Sequence, residues 1–276
     1  MLSLLSWASL LSYVAALVML WQYTTRPEKH TATVRSSLII ATVIGIIFHA
    51  IDLYIRVINT QGPDAGFSMS LGHSISLVAL VVTSIFVLIS MVRATANLGL
   101  AILPTAILAL LAGLWLNPEH DAISIAYPGF EWHIVLGIIT FAMLSLAFAQ
   151  SLLILVQEKQ LKSHNQPQSG ISLISLPALQ SMETLLFQIL WLGFVVLSIT
   201  LVLGVLVNRS EYGIVLLFNH HIVLTLLTWL AYAILLFGRH FFGWRGRQAS
   251  IYTIICYSMF LIGYFGPRIV RELIIN

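Results

Sequence analysis

Nine histidines punctuate a chain of 276 residues in which 59% of the residues are hydrophobic and 8% are charged. In apolar surroundings an imidazole avoids the cost of a buried charge by staying neutral. One ring nitrogen then donates a hydrogen bond and the other keeps a lone pair for a proton or a metal. His30, His164 and His240 fall at loops or helix edges and His120 in a loop, where solvated or interfacial roles account for them. His49, His73, His133, His220 and His221 fall inside or at the ends of long apolar runs. Intramembrane ionisable residues cost a few kcal/mol when charged and by default face a bundle interior.

The elements that position them follow from length. A span needs about 20 apolar residues to cross a ~30 Å hydrocarbon layer. Eight runs qualify: 3–22, 36–57, 70–92, 96–116, 132–157, 182–207, 216–239 and 248–267. Backbone groups in lipid must be satisfied within each segment, so the runs are helices. The fold class expected is an all-α polytopic membrane protein, one bundle of about eight spans forming a single domain over 1–276. The charge is about a third of that on a soluble domain. The run at 1–21 lacks a positive leading region and reads as a retained span.

Lys and Arg set the orientation. Nine of them (Arg26, Lys29, Arg35, Arg93, Lys159, Lys162, Arg239, Arg245, Arg247) follow odd-numbered spans, against four (Arg56, Arg209, Arg268, Arg271) on the other side. The positive-inside rule then places both termini in the periplasm. Trp21, Trp132 and Trp244 stand near span ends, as interface anchors do. Residues 117–131 form an outer loop carrying Glu119, Asp121 and Glu131, and 158–181 form a polar inner linker that leads to Ser181 as the expected cap of the sixth span. Helix direction gathers His49, His73, His133 and the His220–His221 pair in the outer third of the bundle.

Several chemistries suit such a set. Two neutral imidazoles can serve as axial ligands of a haem iron, with an apolar bundle supplying a dry slot. Arg209 is the nearest outer cation for the propionates. Zinc is a rival, though it wants three or four close ligands and the chain has no HExxH. His49 and Asp52, at i and i+3, form a candidate proton relay. His73, with Ser74 and Ser76, reads as a structural hydrogen-bonding residue, and His221 points to a different helix face from His220. The single cysteine, Cys256, excludes a disulfide framework and self-attached haem through CxxCH. Phosphate-binding loops, dinucleotide fingerprints and nucleophile elbows are absent from the sequence, and its basic residues form no stripe for nucleic acid. Gly193 and Gly204 mark close helix packing, inside the bundle or against a partner. Pro104, deep in the fourth span, is read as a kink.

The second half resembles the cytochrome c assembly superfamily of multi-span haem-handling proteins (the CcsA/CcmC group), and within it the HemX- and YpjD-like branch. The resemblance rests on WHIVLGIITFAMLSLAFAQSLLILVQEKQLK, LPALQSMETLLFQILWLGFVVLSITLVLG and NHHIVLTLLTWLAYAILLFGRHFFGWRGRQAS. It extends more loosely to IIFHAIDLY in the second span. It implies haem as the cofactor, with the haem iron held by His133 and His220 and His49 as a second, intramembrane position. His221 falls where the branch often has lysine. Members that present haem to apocytochrome carry an external WGxxWxWD motif, which this sequence lacks. The expected function is therefore haem binding or handling in the bacterial inner membrane, without synthase activity. Cytochrome c assembly components or another membrane protein are the implied partners besides the bilayer. The alternative is a non-enzymatic accessory subunit of another membrane complex, such as a transporter. A transporter in its own right fits less well, since no repeated halves are visible.

Overall fold

A computed structural model of the chain describes residues 4–25, 32–59, 66–68, 71–92, 95–116, 122–123, 130–162, 177–212 and 220–270. Eight helices carry most of them: α1 (Leu4–Thr25), α2 (Ala32–Val57), α3 (Leu71–Val92), α4 (Gly99–Trp115), α5 (Phe130–Lys162), α6 (Leu179–Tyr212), α7 (His220–Phe242) and α8 (Gly246–Val270). Three short strands, β1 (Ile58–Asn59), β2 (Gly66–Ser68) and β3 (Ala122–Ile123), pair antiparallel in that order, with Ile58 opposite Phe67 and Phe67 opposite Ile123. The sequence reading had placed only loops there.

Each of the eight expected runs falls on one helix, in order. Among the described residues, seven helices are long and apolar enough to cross a membrane. The eighth, α8, is 25 residues long and mixes Ser250, Thr253, Tyr257 and Ser258 into its apolar run. Helix α6 begins at Leu179, so Ser181 lies within its first turn and is not the cap. Hydroxyls on these helices are largely satisfied by their own backbone one turn back. Ser12 donates to the Ala8 carbonyl, Thr42 to Leu38, Thr83 to Ala79 and Thr228 to Leu224. Small polar residues can thus enter an apolar bundle at little cost.

The described chain divides into two compact units, Met1–Ser124 with Lys159–Ala178, and Ile125–Glu158 with Leu179–Asn276. In the first, consecutive helices pack antiparallel. Ser9 Oγ of α1 donates to the Gly45 carbonyl of α2 at 3.1 Å, and Arg35 of α2 donates to the Ser90 carbonyl of α3. The Gly72 amide of α3 donates to the Leu116 carbonyl after α4 at 3.1 Å. Leu20 of α1 lies against Gly99, closing α4 back onto α1. Tyr13, Ala16, Leu20, Leu38, Leu103 and Ala106 fill the centre. Helix α1 shows the division of faces: Ser6, Ser9, Tyr13, Ala16 and Leu20 are buried, while Trp7, Leu11, Val14 and Val18 are exposed at helical spacing. The polar stripe points inward because lipid, not water, is the solvent outside.

The second unit is also a ring of four antiparallel helices. α5 meets α6 through Thr140 and Thr200 (Oγ1 to Oγ1, 3.2 Å) and through Gln150 Nε2 donating to the Met182 carbonyl at 3.0 Å. α6 meets α7 where Trp229 Nε1 donates to Ser198 Oγ at 2.8 Å and stacks on Phe194. α5 meets α8 through Tyr257, whose hydroxyl lies 2.8 Å from Ser145 Oγ and whose ring stacks on Phe148. The GWRGR run is the turn between α7 and α8. Gly243 and Gly246 take left-handed conformations, with φ of 66° and 56°, which a side chain would strain. Trp244 folds over Gly238 and stacks on Tyr252 with ring centroids 4.7 Å apart.

Candidate functional site

The residues expected to do chemistry divide between the units. His133, His220, His221 and Arg209 belong to the second unit, and His49 and His73 to the first.

His133 sits in the first turn of α5, partly buried, and its ring lies on α6. Nδ1 is 3.1 Å from the Thr200 carbonyl oxygen. A carbonyl only accepts, so Nδ1 carries the proton and donates. In the neutral ring the lone pair is then on Nε2, the tautomer a metal-binding histidine uses when its other nitrogen is anchored to backbone. Gly204 is one turn beyond Thr200 on the same face of α6. A Cβ there would stand 2.9 Å from His133 Cε1, so only glycine leaves room for the ring in this pose. The two glycines singled out in the sequence both serve internal packing, since Gly193 receives Leu144 and Met143 of α5. Neither marks a surface for a partner.

His220 begins α7. The side chains of His220 and His221 lie outside the described residues, so only their backbone placement is considered. Helix order fixes it. The N-terminus of α5 lies beside the C-terminal part of α6, because His133 meets Thr200 while Gln150 meets Met182. The N-terminus of α7 lies at that same end, because Trp229 meets Ser198 while Arg239 sits over Phe187. Counting back along α7 from Trp229, which meets Ser198, sets residue 220 level with about residue 207 of α6, about one turn beyond Gly204 and two beyond Thr200, the residues the His133 ring lies against. Arg209 is exposed on α6 near this end and is in no ion pair among the described residues.

His49 has different surroundings. It is fully buried, with Nδ1 3.2 Å from the Tyr13 hydroxyl of α1 and Nε2 2.7 Å from Ser76 Oγ of α3. The Tyr13 ring meets it edge-on. Asp52, expected as its partner, instead binds Arg56 one turn along, with Oδ2 3.0 Å from Nε, and accepts from Ser6 Oγ at 3.0 Å. A guanidinium at i+4 offers the carboxylate a charge-assisted bond that a neutral imidazole at i−3 cannot match. His73 is buried on α3, one turn before Ser76. Tyr13 is not singled out from sequence, and Ser76 is named there beside His73 and not as a partner of His49. The signal for Tyr13 was present in Ser6, Ser9 and Tyr13 lining one face of an otherwise apolar helix.

Among the described residues no three His, Cys, Asp or Glu groups converge as a metal site would need. The donor set fits a haem better than zinc, since a macrocycle asks for one anchored imidazole on a helix and a second across the plane. His30, His120 and His164 lie outside the described residues, as does most of the loop and of the linker that carry His120 and His164. His240 is exposed at the end of α7.

The inner membrane protein YpjD of Escherichia coli (strain K12) is 29% identical over 244 residues, 87% of this chain and 88% of its own length. An uncharacterized 28.8 kDa protein of Azospirillum brasilense is 28% identical over 147 residues, 53% of each chain. The cytochrome c biogenesis protein CcsA of Chlamydomonas reinhardtii is 25% identical over 140 residues, 51% of this chain and 38% of its own. No solved structure matches. The family model described as cytochrome C assembly protein matches residues 2–275. Taken with the apolar helices and the similarity to YpjD, that match makes this chain a multi-pass inner-membrane member of the cytochrome c assembly family, in its YpjD-like branch.

Proposed function

We propose that this chain binds and handles haem within cytochrome c assembly, with His133 and His220 as the axial ligands, and that it does not itself attach haem to apocytochrome. The observation that carries the reading is the hydrogen bond from His133 Nδ1 to the Thr200 carbonyl, which leaves Nε2 with its lone pair. His220 is the second ligand because α7 begins at the same end of the unit as His133, and the family resemblance puts the second ligand at 220 and not at 221. Arg209 is the cation for a propionate. His49 is a secondary position on a route for haem, and iron would reach it only by exchange with the Tyr13 or Ser76 hydrogen bond. A bound haem would supply an iron centre in a largely water-free setting. What this chain's own residues do is fix the tautomer, hold the ring on α6 and exclude solvent. The lack of WGxxWxWD removes the external platform on which attachment is staged in presenting members, so the role is non-catalytic. Both termini face the periplasm in this reading, which puts the His133 end at the periplasmic surface.

The test is the visible spectrum of protein purified from haem-replete cells. A Soret band is expected, and His133→Ala or His220→Ala should weaken it without changing yield or thermal unfolding. Well-folded protein with no Soret band would overturn the proposal.

A further inference from the structure

A second site lies at the other end of α7, away from His133 and the start of α7. A cavity of about 690 Å³ opens there, lined by Trp191, Leu236, Arg239, His240, Phe242, Gly243 and Arg245. Its lining has two characters. Arg239, His240 and Arg245 are basic, while Trp191, Leu236 and Phe242 are apolar or aromatic. Arg239 is held in place: Nη1 donates to the Trp244 carbonyl at 3.3 Å and the guanidinium lies 4.5 Å over the Phe187 ring. That uses one of its five N–H donors. Among the described residues the ion pair found is Asp52–Arg56 of the first unit, so no carboxylate neutralises Arg239 or Arg245. The nearby acid is Glu183, whose Oε1 stands against Gly246. Exposed apolar residues lead away from the cavity along α6, from Trp191 through Val195 and Ile199 to Val202.

We infer that this cavity binds the headgroup of an anionic phospholipid, with an acyl chain lying along the Trp191–Val202 stripe. The phosphate is recognised by Arg239 and Arg245, with His240 at the rim. Basic pockets at the ends of membrane helices suit such headgroups, and aromatic rings suit the level where headgroup meets chain. A soluble anion would make no use of the apolar stripe, and a neutral lipid would leave two guanidiniums uncompensated. The turn that carries Arg245 is closed by the Trp244 amide, which donates to the Gly238 carbonyl at 3.2 Å, with Gly243 and Gly246 in left-handed conformations. The site shares no residue with the haem reading, so either can fail without the other.

The full-length protein, reconstituted in nanodiscs of phosphatidylcholine with a minor share of phosphatidylglycerol, is re-extracted and its retained lipid is counted by mass spectrometry. Phosphatidylglycerol should be enriched above its share of the bilayer. Arg245→Gln should reduce that enrichment about fivefold, and Arg245→Gln with His240→Gln should reduce it further. Both side chains are exposed, so folding should persist, which the melting temperature checks. Inorganic phosphate should displace no more lipid than sodium chloride of equal ionic strength. Retention in proportion to the bilayer, undiminished enrichment in the double variant, or specific displacement by phosphate would each overturn the assignment.

Discussion

His133 and His49 are both imidazoles on apolar helices, and their partners separate them. His133 gives one nitrogen to a carbonyl and keeps the other, whereas His49 has both nitrogens within reach of hydroxyls. His49→Ala would leave the Tyr13 hydroxyl and Ser76 Oγ buried with a partner lost, at a cost on the order of 1–3 kcal/mol. It should therefore lower the thermal unfolding temperature while leaving most of the Soret band. Gly204→Ala makes the converse prediction. Its Cβ would push the His133 ring off Thr200, so haem occupancy should fall several-fold for an overpacking cost of about 1–3 kcal/mol. Gly137→Ala is the control, because a Cβ there meets nothing closer than Thr200 Cγ2 at 4.0 Å. Residue type and depth made these histidines legible in the sequence. Their partners were not, because Thr200 acts through its backbone, which carries no signature of its own, and Tyr13 reaches His49 from a helix 36 residues away.

At the level of elements, close helix approach is bought with glycine. The Gly72 amide reaches the Leu116 carbonyl, and a Cβ at that position would stand 2.4 Å from the same oxygen. Backbone cannot yield as a side-chain tip does. Gly72→Ala should thus destabilise the α3–α4 contact by about 1–3 kcal/mol, seen as faster proteolysis of that pair in detergent. The spans themselves were legible because lipid imposes one length and one backbone solution. Their ends were less so. Helix α6 runs from Leu179 to Tyr212, several residues past the expected 182–207 at each end. A hydropathy window sees the hydrocarbon layer, while a helix continues beyond it wherever hydrogen bonds continue. The GWRGR run was noticed as a family marker; its structural reason, two left-handed glycines flanking a stacked tryptophan, emerges only with the turn in view.

For the whole molecule, the sequence already implied a helical inner-membrane protein of the cytochrome c assembly family, which the family match and the relatives support. Two rings of four antiparallel helices were not visible in it, because antiparallel packing leaves no periodic mark when each helix is apolar on most faces. Orientation is a separate proposal resting on nine basic residues against four. It predicts that Ser3→Cys, in a Cys256→Ala background, reacts with a membrane-impermeant maleimide in spheroplasts, while Lys162→Cys reacts only after lysis. The reverse pattern would invert the assignment and move the His133 end to the cytoplasm.

The central claim is that the imidazoles at 133 and 220 hold one iron between them. The electron paramagnetic resonance spectrum of the ferric, haem-loaded protein reads this directly. It should show the low-spin signal of iron between two imidazoles, converted to a high-spin signal when His220 or His133 is replaced by alanine. A low-spin signal unchanged in both variants, or no iron signal from folded protein out of haem-replete cells, would contradict it.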